Sequence, residues 1–524
     1  MTAALSNSFT RLAEASNAFT AGAYEQTITL CAHALALNPN QAQWIHLLGL
    51  AYFRRNDLAN AQKQLDLATT LTPSDATLWS NLGAVHEAQA HTELAESSYR
   101  HAIHLNNNFA NAHTHLGYLL ITLDRLDEAG EHCKRAVILK PQARITNFNY
   151  AFWLFCTRQF EQTLSFVKSA LDASPKHAPT WYLLGQIWRE LGNFEKASEA
   201  YLRAVELDPM QADAALNFAT CQLALEHYAL GWHYYFQRKR GVDRADTLSP
   251  ITPGARFAGK HILLTADQGI GDQLFFLRFA PALIKQGARV SCRPDRKLIP
   301  LLKRLPWIDS VLETEQPHKP DYTFAMGDLP LLLQMNSRAD IPPPLPLTAC
   351  PERVQYVAKQ LAALGPPPYV AITWRAGKAR ETAMNYFLYK SIPVTALGAS
   401  LRTLNATIIV VQRAPITGEL ATFTQELGRP AHDFSAFNDD LEDMLALMAN
   451  VNHYVTVSNT NLHLRASLNL PSQALIAHPS DWRWLSAGTA SPWFPGTELY
   501  RQAVDGSWTD ALEHLLQNLF RLKE

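Results

Sequence analysis

The chain has 524 residues, 46 Lys and Arg against 47 Asp and Glu for a formal net charge of -1, and 47% hydrophobic residues. That length exceeds what one core supports, and the near-zero charge provides no overall field to draw in nucleic acid or an anionic membrane surface. The opening MTAALSNSFTRLAEASNAFT lacks the basic start and apolar run of a secretory signal, and no stretch approaches the roughly 20 apolar residues of a spanning helix, so the expected location is cytoplasmic.

The first half repeats. Pro39, Pro73, Pro141, Pro175 and Pro209 fall on one 34-residue grid, with Asn107 filling the missing step. Gly49, Gly83, Gly117 and Gly185 form a second grid of that period with Ala151 in the empty slot. Ala34, Ala68, Ala102, Ala136, Ala170 and Ala204 form a third. The three registers predict helix hairpins: small residues where two helices cross, large apolar ones such as Tyr52, Trp79, Trp181 and Trp188 between them, and a proline stopping the second helix. WYLLGQIWRELGNFEKASEAYLRAVELDP, residues 181 to 209, is the clearest copy. It resembles the tetratricopeptide repeat, whose W-x2-L-G-x2-Y, A-x3-F, A and P positions it carries.

The resemblance implies an all-α superhelix of about six repeats over residues 1–211, with a groove that holds an extended protein or peptide. Two residues before the glycine grid stand Asn81, His115, Asn149 and Asn217, interrupted by Leu47 and Leu183. A row of amides can hold a peptide backbone without reading its side chains. The protein O-linked N-acetylglucosamine transferases carry an asparagine ladder of this kind, although asparagine is also a common residue at this repeat position. Residues 212–240, with Trp232, Tyr234, Tyr235 and Phe236 crowded on one helix, read as a capping half-repeat that docks on the next domain. Association of two copies through the first repeats is compatible with the sequence.

A Pro- and Gly-rich linker is expected at 241–254, and there the texture changes. HILLTA, ARVSC, DYTFAM, YVAITW, ATIIVV, HYVTV and QALIA are short apolar runs between helical stretches, the pattern of buried parallel strands in βαβ units. Proline clusters at IPPPLPL and GPPPY split the region into lobes 255–345 and 346–524, two Rossmann-like halves facing a cleft. The final helix, about Trp508 to Leu522, is expected to cross back and brace them. The six cysteines show no CxxC pair and no metal-ligand spacing, so reduced thiols and no metal or cofactor are expected.

The first strand of this half runs into ADQGIGDQLFFLRF, a glycine-rich turn opening a helix, where Gly269 and Gly271 would let a ligand approach the backbone. The segment resembles the Q-G-x-G-D turn of bacterial repeat proteins with a glycosyltransferase family 9-like domain, relatives of the lipopolysaccharide heptosyltransferases. That resemblance implies a GT-B fold, a nucleotide-sugar donor handled without a divalent metal, and Asp272 as the general base. As a plain first-turn carboxylate, Asp272 would instead only stabilise the helix start.

AITWRAGKARETAMNYFLYKSIP resembles the family's V-W-x-G-N and R-S-I-P stretch, offering Arg375, Lys378, Arg380 and Lys390 to a leaving diphosphate. HYVTVSNTNLHLRASLNLP is similar to V-T-V-D-T-x-x-x-H-L-x-x-A-L-G-x-P. His463 is kept, but Ser458 stands where the family has Asp and Asn459 where it has Thr. Asn459 and Thr460 still offer hydrogen bonds to a diphosphate. HPSDWRWLSAGTASPWFPGTELYRQ matches the family's D-W-R-W-L and S-P-W-Y-P run, in which Asp481, Trp482 and Arg483 could frame a base or sugar.

The reading is an inverting glycosyltransferase acting on a Ser or Thr hydroxyl of a protein in the repeat groove. The alternative is a non-catalytic repeat scaffold with a degenerate transferase domain. A transferase for lipid-linked or small saccharide acceptors is the third option.

Overall fold

The computed structural model describes residues 2–238, 248–313, 320–376 and 390–521, with side chains from residue 11 onward. The chain divides into two compact units, the boundary falling between Thr180 and Trp181.

The first unit is all α. It contains α1 (Thr2–Thr20), α2 (Tyr24–Leu37), α3 (Ala42–Arg54), α4 (Leu58–Leu71), α5 (Ala76–Ala88), α6 (Thr92–Leu105), α7 (Ala110–Thr122), α8 (Leu126–Leu139), α9 (Arg144–Cys156) and α10 (Phe160–Ala173), paired as hairpins. The helix α11 (Ala178–Glu190) straddles the boundary, and α12 (Phe194–Leu207), α13 (Ala212–Ala224) and the short α14 (Tyr228–Tyr235) come next, in the second unit.

The sequence grids have direct physical causes here. Each grid proline stands just past the end of a hairpin's second helix, where no further backbone N–H is required. The grid glycines lie where the two helices of a hairpin touch. A Cβ on Gly83 would come within 2.6 Å of the Tyr99 ring, and one on Gly117 within 2.6 Å of Cys133 Sγ. A fourth register is conformational. Gly22, Asn56, Ala90, Asp124, Arg158, Gly192 and Glu226, each 34 residues from the next, all have φ between 59° and 79°. This left-handed residue ends the first helix of each pair and turns the chain into the second.

The rest of the second unit is built on two parallel sheets. The first holds β1 (His261–Thr265), β2 (Arg289–Arg293), β3 (Ser310–Val311) and β4 (Tyr322–Ala325) in the order β3-β2-β1-β4. Its helices are α15 (Ile270–Leu277), α16 (Ala280–Lys285), α17 (Ile299–Leu302) and α18 (Leu329–Leu332). After the proline-rich connector comes α19 (Pro351–Leu364). The strands β5 (Tyr369–Thr373), β6 (Arg375–Ala376), β7 (Lys390–Ser391), β8 (Thr407–Val410), β9 (Ala431–Asp433), β10 (His453–Val457), β11 (Ser472–Ile476) and β12 (Thr497–Arg501) complete the strand set. Of these, β6 and β7 form a small antiparallel pair, and the others make a six-stranded parallel sheet in the order β12-β11-β10-β5-β8-β9. Its helices are α20 (Val394–Ser400), α21 (Glu419–Leu427), α22 (Leu441–Asn450), α23 (Thr460–Ser467) and α24 (Thr509–Arg521).

All seven expected strands form. The expectation for the last helix is corrected: Trp508, Ala511, Leu512, Leu515 and Leu519 of the α24 region pack with Leu397, Leu401 and Tyr500, inside the core of the second sheet's own lobe. The linker region also joins parts of one unit, because α14 packs directly on the first sheet's helices. Trp232 meets Phe276 of α15 edge-on at 6.2 Å and Trp482 at 5.3 Å, in an aromatic core that excludes water. Among the described residues no helix is long and apolar enough to cross a membrane.

Candidate active site

In both sheets the strand order reverses beside a central strand, β1 in one and β5 in the other, and the loops leaving the strands' carboxyl ends diverge there. A cleft of about 960 Å³ lies between the lobes, lined by the loops after β1, β5, β8 and β10.

From the first lobe come Gly269, Gly271 and Asp272, at the start of α15. Neither glycine uses a left-handed backbone; the demand is space. A Cβ on Gly271 would stand 3.3 Å from His463 Cδ2 of the other lobe. Asp272 is one-third exposed, and Arg483 Nη2 donates to its Oδ1 at 2.5 Å. Arg483 Nη1 reaches both oxygens of Asp481 at 3.2 Å, and Lys390 Nζ lies 3.3 Å from Asp481 Oδ2. Four charges therefore alternate in sign: Asp272, Arg483, Asp481, Lys390. Asp481 is buried, which pushes its carboxyl up, but Arg483 and Lys390 outweigh this and hold it well below the usual carboxylate range.

The second lobe supplies the opposite wall through α23. Asn459 caps this helix, its Oδ1 accepting from Leu462 N at 3.0 Å, while its Nδ2 donates to Thr456 Oγ1 at 2.9 Å. The cap leaves the first-turn N–H groups at Thr460 and Asn461 without a carbonyl partner inside the helix, the arrangement that favours an anion. His463 is buried on this wall. Burial, and then the charges of Arg483, Arg278 and Lys390, hold its imidazole far below its ordinary range, so it is neutral at pH 7. Its Nδ1 has no hydrogen-bond partner among the described residues. After β8, Gln412 is buried and accepts from the backbone N–H groups of Trp374 and Arg375, fixing the start of the β5 loop.

The predicted donor residues thus separate. Gly269, Gly271, Arg375, Lys390, Asn459, Thr460 and His463 all face the cleft with Asp272. Arg375 arrives already neutralised, because Glu419 Oε2 lies 3.1 Å from its Nη2. Two assignments are corrected. Trp482 is 4% exposed, wedged among Trp232, Phe275 and Trp493, and presents no face on which a base could stack. Asp481 spends its oxygens on Arg483 and Lys390 and does not line the cleft. Lys378 and Arg380 lie outside the described residues. Arg483, first read as a framing group, instead orients Asp272; Arg413 and Asn438, which the sequence did not single out, also line the cleft.

The asparagine row is corrected as well. Asn81 Nδ2 meets His46 Nε2 at 2.7 Å, and the buried Asn149 donates to Thr114 O at 3.0 Å. In the second unit, Asn217 Nδ2 donates to the Tyr182 hydroxyl and its Oδ1 accepts from Arg189. His115 stacks on Tyr99 at 5.5 Å. The Nδ2 groups of these three asparagines tie their repeats to the ones before, and Asn217 has both amide atoms engaged. Asn149→Ala should therefore lower stability by about 1–2 kcal/mol, the cost of an unmade buried hydrogen bond; urea unfolding of the variant, showing no change, would restore the row as a peptide clamp.

Comparison with known proteins agrees on the repeats. Residues 80–144 and 178–210 match models of the tetratricopeptide repeat. The helical half is thus a tetratricopeptide-repeat array, the kind of module that binds proteins. Beyond the repeats, the chain is similar to Protein FlbA of Caulobacter vibrioides, 24% identical over 494 residues covering 88% of this chain and 81% of FlbA. That match runs through both the helical and the α/β parts. Human Protein O-mannosyl-transferase TMTC3 is 26% identical over 174 residues, 30% of this chain and 19% of TMTC3, so the chain spans about a fifth of that relative. Among solved structures, the APC/C hetero-tetramer Cut9-Hcn1 aligns at 17% identity and TM-score 0.40, covering 43% of this chain and 44% of that one.

Proposed function

We propose that the α/β part is a GT-B-type glycosyltransferase of two Rossmann-like lobes, which transfers a sugar with inversion from a nucleotide donor to a Ser or Thr hydroxyl of a protein bound by the repeats. The observation that carries this reading is the convergence, on one cleft of about 960 Å³, of a carboxylate from one lobe with a helix N-terminus, a cation and a histidine from the other. That volume suits a ligand of nucleotide-sugar size. Asp272 takes the hydroxyl proton as the acceptor oxygen bonds to the anomeric carbon. The bond from that carbon to the phosphate oxygen breaks, and the electron pair leaves with the diphosphate, which the first turn of α23 and Lys390 receive. The neutral His463 gives or accepts one hydrogen bond without adding charge. The mannosyl-transferase name of one partial relative agrees in reaction class.

A second reading is a repeat scaffold whose α/β part is inert. It is favoured by Ser458 in the place of the family's aspartate and by the ion pair on Asp272. A thermal-shift panel of nucleoside mono- and diphosphates and their sugars separates the two. A donor at a hundred times its dissociation constant should add about 2.7 kcal/mol of stability. No shift with any member would sink the transferase reading.

A further inference from the structure

Just past α14, the last helix of the repeats, lies a buried arginine for which the chemistry above has no use. Arg238 is 6% exposed, and its Nη2 stands 2.5 Å from Asp267 Oδ2 and 2.8 Å from Asp328 Oδ1. Its Nε donates to Asp267 Oδ2 at 3.0 Å, and Nη1 donates to Tyr235 O at 3.2 Å. Beside it the Tyr235 hydroxyl donates to Gln268 Oε1 at 2.8 Å.

Asp267 and Gln268 are the residues that lead into Gly269, so these bonds grip the glycine-rich turn from its repeat side. The turn is gripped from its own helix too, since Gln273 Nε2 donates to Gln268 O at 3.0 Å. Gly327, in the loop after β4, closes the arrangement: a Cβ there would fall 2.6 Å from Arg238 Nη2 and 2.5 Å from Gln268 Nε2. A planar guanidinium with two carboxylates has one low-energy placement, unlike a lysine, which is a point charge on a flexible stem. Asp272 stands one tight turn beyond Asp267, in the first turn of α15.

We propose that Arg238 is a positioning residue of the transfer site: the end of the repeat array, through Asp267 and Gln268, sets where Asp272 stands in the cleft. This rests on the proposed function, and it makes the last hairpin part of the catalytic apparatus as well as of the binding module. An ion cluster that merely pinned α14 in place would stabilise the fold without altering turnover per folded molecule.

The test uses the full chain with Arg238→Lys and Arg238→Met, normalised to folded protein. Misplacing a reacting group by about 1 Å costs on the order of a hundredfold. Arg238→Met should therefore lower kcat by about a hundredfold with donor KM nearly unchanged, because the donor is held by the second lobe; Arg238→Lys should fall between. Amide exchange over residues 266–273 should quicken in both variants while that of α23 stays put. Wild-type kcat per folded molecule in Arg238→Met, or unchanged exchange over 266–273, overturns the proposal. If Arg238→Met fails to fold, Arg238→Lys decides by the same two readings. If the wild type transfers no sugar, that counts against the transferase reading, and the exchange result alone judges whether Arg238 holds the turn.

Discussion

Replacing Asp272 with asparagine is expected to cut sugar transfer by about 10²–10⁴-fold while donor binding survives, the usual scale of a lost general base. The substitution is nearly isosteric, and the amide oxygen can still accept the hydrogen bond that Arg483 Nη2 makes to Oδ1. What disappears is the capacity to take a proton from the acceptor. The elements proposed to face the diphosphate, the first turn of α23 and Lys390, stand on the other lobe and are untouched. Initial rates with labelled donor, paired with the donor-induced rise in unfolding midpoint, check the expectation. Full activity would remove Asp272 from the reaction, and joint loss of rate and midpoint shift would make it a binding group.

Arg483→Met carries the largest expected cost in stability, about 3–5 kcal/mol for the second unit, because it removes one partner of a buried ion cluster and leaves Asp481 with Lys390 as its remaining cation beside the backbone N–H of residue 483. The direction with pH comes from Asp481. Its folded carboxyl is held below the ordinary range, so the pairing stabilises fully above the unfolded value of about 3.9 and is lost as pH falls through the folded value. The gap between wild type and variant should thus be complete at pH 7 and shrink in acid, where the stranded carboxylate of the variant is neutralised. Urea unfolding at the two pH values measures this. Equal stability at pH 7 would show that Asp481 finds other support.

The repeats were legible because their constraints fall on particular residue types: a proline follows the second helix at five of six grid positions, and the crossing beneath Tyr99 admits only Gly83. The left-handed register was poorly legible, since only Gly22 and Gly192 of its seven members are glycine and only Asn56 and Asp124 of the others are types that favour this backbone; Ala90, Arg158 and Glu226 adopt it with no compositional signal. Strands buried on both faces announced themselves as apolar runs. Of the four edge strands of the two parallel sheets only β4 was found: β3 has two residues, β9 has three, and β12 sets an apolar pair between Glu498 and Arg501. At the site, the glycine turn and the start of α23 could be found locally. The ion chain could not, because Asp272 and Arg483 lie 211 positions apart and only the folded lobes bring them together. The same distance problem hid the pairing of Arg375 with Glu419.

The asparagine contacts of the repeats each span 35 positions, one more than the period, and recur every 68 residues, so the same two addresses make every second joint. Only pairs of units can therefore be spliced in or out over a lineage with these addresses kept in step. An insertion of one or two residues has no such freedom. The reach of the array is left open to drift in steps of two units, while the partner at each address varies from an imidazole to a carbonyl to a phenol.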